Sequence, residues 1–303
     1  MKLQKLQQVK NNFPPRNSIM FLKIFLISFL SFFFSAFTQN LYSAESLLIF
    51  AGSAGKPPTE EAARAFEKKT GIKISITFGG SGYILSQMKL GRMGDIYFPG
   101  SSDYMEKAKK EGLVFPETEK IIVYLVPAIN VWKGNPKKIY SLKDLAKPGL
   151  KIAIANPAGV CVGLYAVEII EKNFTGAEKS AFRKNIINYT ESCEKTSTAV
   201  SLKMADAVLG WSVFQYWDPD RIENVRLKPD EISRIGYIPA AVSKFTKNKK
   251  VALHFINFLI SDEGKKIFRK YNYFLSPDEA GSWISKKKPV GGEYILPAGW
   301  EIK

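Results

Sequence analysis

From residue 46 onward, apolar and polar positions follow two rhythms that succeed one another along the chain. Residues 46–51 (SLLIFA) are a short apolar run of strand length, and 59–69 repeat their apolar positions at helical spacing before Gly71. Residues 72–78 (IKISITF) alternate with period two, as a half-buried strand does. A helix over 81–90 ends at Gly91, a strand follows at 95–98, and a third helix covers 102–111. Strand and helix taking turns in this way predict a parallel or mixed α/β sheet. Residues 120–131 (KIIVYLVPAINV) form a long apolar strand broken by Pro127, which marks a crossing into a second lobe. The alternation then resumes with a strand at 151–155, helices at 161–172 and 196–203, and a strand at 207–211. Residues 235–242 (IGYIPAAV) are again a strand interrupted by proline, Pro239, and predict the return crossing. Helices over 249–261 and 262–271 complete the first lobe, and 276–303 show no clear period. The expected organisation is a leader (1–44), lobe 1 (45–126), lobe 2 (127–235), a return to lobe 1 (236–275) and a C-terminal extension (276–303).

The leader stands apart in pattern. Residues 1–16 are polar and basic, and 24–37 (IFLISFLSFFFSAF) are 14 residues without charge. Lys23 precedes this run, and Ser43 and Ala44 follow it. A basic segment, a short apolar segment and a small-residue exit predict a secretory signal peptide cleaved after Ser43 or Ala44, with Met1 or Met20 as the start. The run falls short of the roughly 20 residues of a spanning helix. Near the exit there is no cysteine to carry a lipid. Export to the periplasm is therefore expected.

Composition narrows the chemistry. The chain has 303 residues, 46% hydrophobic and 24% charged, which is ordinary for a globular protein and excludes wholesale disorder. Of 44 lysines and arginines, five lie in residues 1–44, leaving 39 against 28 acids and a formal charge of +11 for the exported part. The basic residues are interspersed with acids except at 247–250 and 286–288, so solvated faces are expected there and no nucleic-acid partner. One histidine, His254, and two cysteines, Cys161 and Cys193, leave no zinc cluster, no two-histidine catalysis and no metal site. His254 lies in an apolar helical run (VALHFINFLI), where a packed ring is expected. In an oxidising compartment the two cysteines predict a disulfide, with two buried free thiols as the alternative.

No GxSxG, GxxxxGK[ST], HExxH or GxGxxG is present. What recurs is a strand, a turn of small residues and a helix: FAGSAG at 50–55, FGGSG at 78–82 and ANPAG at 155–159. Glycine lets backbone approach a ligand, and a helix N-terminus presents free amides and partial positive charge to an oxyanion.

These turns sit inside longer stretches that resemble the molybdate-binding periplasmic proteins of ABC importers. They are FAGSAG, then AFEKKTGIKISITFGGSGYILSQMKLGRMGDIYFPGSSDYM and NPAGVCVGLYAVEII. AVLGWSVFQ and IPAAVSKFTKNKKVALHFINFLISDEGKKIFRKYNYF follow. The resemblance runs from about residue 47 to 273. It implies a two-lobed type II periplasmic binding protein, with a mixed sheet in each lobe and a hinge between them. The implied activity is capture of a tetrahedral oxyanion, molybdate or tungstate first, for an ABC permease in the inner membrane, without cofactor or catalysis and as a monomer. It places the ligand on serine hydroxyls and main-chain amides of both lobes. Those positions fall on Ser81, on Ser53 or Ala54, and on the amides of Val162 and Thr196. A Cys161–Cys193 bridge would then brace the two amide donors of lobe 2. One departure concerns a ligand-touching tyrosine of that family, which falls here on Val213, leaving Ser212 or Trp211 to replace it unless Trp211 is simply core. Other readings are a sulfate-like anion, a sensor ectodomain, or a secreted hydrolase built on Ser53 or Ser81 with a lysine.

Overall fold

A computed structural model describes residues 46–300, so the leader and its cleavage site lie outside the described residues. The first lobe opens with strand β1 (Ser46–Gly52), a 3-10 turn at Ser53–Gly55 and helix α1 (Lys56–Thr70). Pro57 and Pro58 sit in the first turn of α1, where a missing N–H costs nothing, and Gly71 closes it at φ 75°. Strand β2 (Lys73–Gly79), α2 (Ser81–Gly91), β3 (Ile96–Phe98), α3 (Ser102–Lys110) and β4 (Lys120–Leu125) follow. After Val126 the chain enters β5 (Pro127–Trp132), β6 (Ile152–Ala155), α4 (Cys161–Asn173), α5 (Gly176–Asn185), β7 (Ile186–Thr190) and α6 (Cys193–Ser201). Then come β8 (Ala207–Trp211), a single turn α7 (Phe214–Trp217), β9 (Ile222–Val225), β10 (Gly236–Val242), α8 (Lys249–Ile260), α9 (Asp262–Lys270) and α10 (Pro277–Ile284).

The strands form two five-stranded mixed sheets, ordered β2-β1-β3-β10-β4 and β7-β6-β8-β5-β9. In each, four strands run in one direction and one, β10 or β5, fourth in its order, runs antiparallel to both its neighbours. The α/β architecture with a mixed sheet in each of two lobes is thus the observed one. Only Val126 separates β4 in the first sheet from β5 in the second, so the outward crossing lies beside Pro127. The return crossing lies at Ile235–Gly236, where β10 begins. Pro239 sits within β10 at a register shift against β4, because it has no N–H to give the ladder.

The extension beyond residue 275 is ordered against both lobes. Helix α10 is capped by Ser276 and places Ala280 and Ile284 in the second lobe's core. Residues 290–294 then run past α3: Ser102 Oγ donates to the Gly292 carbonyl at 2.8 Å, and the Tyr294 N–H donates to Asp103 at 2.9 Å. Finally Trp300, 2% exposed, is buried in the second lobe, its Nε1–H donating to Glu171 at 2.7 Å under the Arg183 guanidinium. His254 differs from expectation too: it lies on the exposed face of α8, edge-on to Phe66 at 4.9 Å between ring centres.

Candidate functional site

The small-residue turns converge where the two lobes touch. Gly52 ends β1 and Gly80 precedes α2, both with extended backbone that other residues also adopt. Their lack of a side chain is required by neighbours. A Cβ on Gly52 would meet the Gly100 nitrogen at 2.5 Å and Ser81 Oγ at 2.9 Å. A Cβ on Gly80 would meet the carbonyls of Glu191 and Gly159, both in the opposite lobe, at 2.7 and 2.8 Å. Contact across the cleft includes Gly82 N–H donating to the Gly159 carbonyl at 2.9 Å, Asn156 Nδ2 to Tyr83 at 2.7 Å, and a Lys56–Glu194 ion pair at 2.6 Å. The backbone torsions of Gly80 permit alanine, but its Cβ would displace the Tyr83 ring, 2.8 Å away, and obstruct this approach. We expect Gly80→Ala to leave folding intact while weakening ligand capture roughly tenfold, as the closure-competent fraction falls. Calorimetry paired with small-angle scattering checks it, and full affinity with unchanged dimensions would refute it.

Ser81 opens α2 and is 1% exposed. Its Oγ accepts a hydrogen bond from the Gly100 N–H at 2.9 Å, and its carbonyl accepts from the Tyr97 hydroxyl at 2.9 Å. An oxygen that accepts the amide keeps its own proton for donation, so Ser81 is a fixed, buried O–H donor. Ala54 faces the same corner: a Cβ on Gly100 would lie 2.7 Å from Ala54 Cβ, 2.6 Å from Cys161 Sγ and 3.5 Å from Ser81 Oγ. Ser53 points elsewhere. Its hydroxyl donates to the Gly79 carbonyl at 3.3 Å, and with Gly80, Tyr83, Glu191, Ser192 and Lys195 it lines an adjoining cavity of about 540 Å³. Among the described residues, neither Ser53 nor Ser81 hydrogen-bonds a lysine or a carboxylate, which leaves the serine hydrolase reading without a base beside its nucleophile.

The second lobe departs from expectation at two points. Thr196 is spent internally: its N–H and its hydroxyl both donate to the Ser192 carbonyl, at 3.0 and 2.9 Å, and its Oγ1 lies 2.6 Å from that of Thr190. It stands a full turn into α6, where amides are already paired, so it presents no free donor to the cleft. Cys161 and Cys193 are free thiols with sulfurs 3.6 Å apart, not the expected disulfide. A bond requires about 2.05 Å; the sulfurs are in thiol contact instead, each in the first turn of its own helix. Burial pushes the Cys193 thiol well above its usual pKa and Cys161 pushes it further, while the Val162 amide and the Trp211 indole pull the other way. The amide of Val162 therefore faces the Cys193 sulfur. Trp211 is fully buried, edge-on to Tyr165 at 4.7 Å, and its Nε1 has no oxygen or nitrogen acceptor. Val213 is core, and Ser212 sits at the crossing, its N–H donating to the Val126 carbonyl at 2.9 Å.

Thus the structure brings Ala54, Ser81, Cys161 and Cys193 together, sets Ser53 on a neighbouring wall, and turns Thr196 away. Sequence reasoning missed Gly100, whose amide fixes Ser81. The signal was present, since PGSS at 99–102 is a fourth strand–small-turn–helix junction.

Comparison with known proteins agrees with this architecture. A molybdate-binding protein of Rhodobacter capsulatus is 24% identical over 220 residues, 71% of this chain and 83% of the relative. The periplasmic molybdate-binding protein of Azotobacter vinelandii superposes with a TM-score of 0.65 at 20% identity, covering 76% of this chain and 99% of that one. The sulfate-binding protein SubI of Mycobacterium tuberculosis gives 0.66 at 16% identity, covering 82% and 94%. The profile of bacterial extracellular solute-binding proteins matches residues 47–273, and the chain belongs to that family.

Proposed function

We propose that this protein captures a tetrahedral oxyanion, molybdate or tungstate first, and hands it to an ABC permease of the inner membrane. The observation that carries the reading is the Ser81 hydroxyl. It is buried where the lobes meet, its acceptor side is satisfied by Gly100, its own proton is left to donate, and only the small residues Gly52, Gly100 and Ala54 pack around it. Helices α2 and α4 begin at this corner and favour negative charge there. Relatives that bind molybdate or sulfate support the class of ligand. Capture of this kind needs no catalytic base and no cofactor.

A second reading is supported by the adjoining cavity of about 540 Å³. That volume falls in the range of small-molecule sites, about 300–1,000 Å³, and has room for the organic part of a phosphate ester whose anionic end sits at Ser81. Thermal unfolding and calorimetry with molybdate, tungstate, sulfate, phosphate and phosphoglycerate decide between them. A ligand at 100 times its Kd should stabilise the protein by about 2.7 kcal/mol. Stabilisation by molybdate and tungstate supports the first reading, by phosphoglycerate alone the second, and by none of the five refutes both.

A further inference from the structure

The cleft holds two side chains that simple oxyanion capture does not use, Cys161 and Cys193. Both are 1% exposed, and they meet from the first turns of two different helices. Cys161 reaches across the lobe boundary, so that a side chain on Gly100 would strike its sulfur at 2.6 Å, within the corner that also holds Ala54 and Ser81. Cys161 is therefore part of the cleft wall with Cys193 in contact behind it, and parting of the lobes would uncover Cys161.

We propose that the Cys161–Cys193 dithiol makes the cleft selective for oxoacids of thiophilic elements, trivalent arsenic foremost, whose central atom exchanges two oxygens for two sulfurs. The inference rests on the oxyanion reading of the cleft and deepens it. Geometry supports the chelate. With bonds of about 2.3 Å, usual for thiolate on a metal centre, an atom bridging sulfurs 3.6 Å apart subtends an angle of roughly 100°. That suits a pyramidal or tetrahedral centre and not a linear one. Among the described residues no group of three or more His, Cys, Asp or Glu could hold a metal ion, so the other positions on such a centre are left to its own oxygens.

The exchange balances without an oxidant. Arsenous acid and two thiols give two As–S bonds and two waters; each S–H proton leaves with an As–OH oxygen, and one As–OH remains. Arsenic stays trivalent and no charge is created, which suits a Cys193 thiol whose pKa burial raises. Sulfate and phosphate have centres that do not take thiols in this way, so the pair offers them only two weak donors.

The test titrates the reduced full-length protein with arsenous acid, following thiol alkylation and intact mass, beside a Cys161→Ser, Cys193→Ser double variant. The wild type should bind one arsenic per chain and lose both reactive thiols, and the double variant should bind it at least 100-fold more weakly. Titration of both proteins with molybdate and sulfate separates the two ideas. Molybdate captured equally by both, with no arsenic bound by the wild type, overturns this inference and leaves oxyanion capture standing. Arsenic chelated by the wild type alone while neither oxyanion binds sinks the oxyanion reading and retains the dithiol site.

Discussion

Replacing Arg234 by methionine is expected to cost about 3–5 kcal/mol of stability, the usual consequence of leaving buried carboxylates without their counter-ion. Arg234 is 7% exposed and joins both lobes. Its Nη2 donates to Asp103 of α3 at 2.9 Å, its Nε to Glu168 of α4 at 2.8 Å, and its Nη1 to the Gly292 carbonyl of the C-terminal segment at 2.8 Å. The guanidinium also lies 4.1 Å from the centre of the Tyr165 ring. Burial works against its charge, but Tyr165, Asp103 and Glu168 more than offset that and raise its pKa further, so the group stays ionised at any working pH. Methionine keeps much of the stem's volume while removing every donor, which isolates the electrostatic loss from a packing loss. A domain of this size loses about 2–4 °C per kcal/mol, so the melting temperature should fall by roughly 10 °C. Adding Asp103→Asn and Glu168→Gln should restore a large part, because the stranded charges are then gone. A loss below about 1 kcal/mol in Arg234→Met would mean that the network behaves as a surface ion pair.

The contrast between that network and the elements around it shows what a single sequence makes legible. The βα units of the first lobe could be read because each carries its own signals: period-two alternation in β2, prolines at the start of α1, glycine at its end. Ser81 could be placed because GGSG follows a strand and precedes a helix. Helix α5 was legible yet missed, since Thr175 and Glu178 form a capping box ahead of it, with side chain and backbone reciprocally bonded. Short strands such as β9, four residues long, carry too little periodicity to stand out. The ion network is of another kind. Asp103 lies 131 positions from Arg234 and Glu168 lies 66, and no local pattern records that the fold brings them together. The same holds for the thiols. Export argued for a bond between Cys161 and Cys193, and only packing shows two sulfurs in contact without one. Thr196, named by the resemblance, stands one turn into α6 with its N–H bonded to the Ser192 carbonyl, because the helix begins at Cys193, three residues before the start that the pattern suggested.

Ser81→Ala should weaken oxyanion capture by about 10- to 150-fold, the equivalent of the 1.5–3 kcal/mol contributed by a hydrogen bond to a charged group. Two consequences must appear together if Ser81 acts as the geometry indicates. The first is on the ligand: the lost donor faced a buried charge, so the whole deficit should reside in affinity and persist at high salt, where screening removes long-range attraction but not contact within a closed cleft. The second is on the protein alone. The Gly100 N–H, which donates to Ser81 Oγ at 2.9 Å, is left without its acceptor in a buried turn. Such an orphaned amide costs about 1–3 kcal/mol, so the variant should also melt earlier without any ligand present. Isothermal calorimetry reads the first effect and ligand-free thermal unfolding the second. A stability loss with unchanged affinity would make Ser81 a structural brace for the β3–α3 turn, and the site would then have to be sought along the neighbouring wall of Ser53, Tyr83 and Lys195. Unchanged affinity and unchanged stability together would remove Ser81 from both roles. Loss of affinity with the expected destabilisation ties the anion to the corner where α2 begins, and with it the closure that Gly80 and Gly82 permit against Gly159.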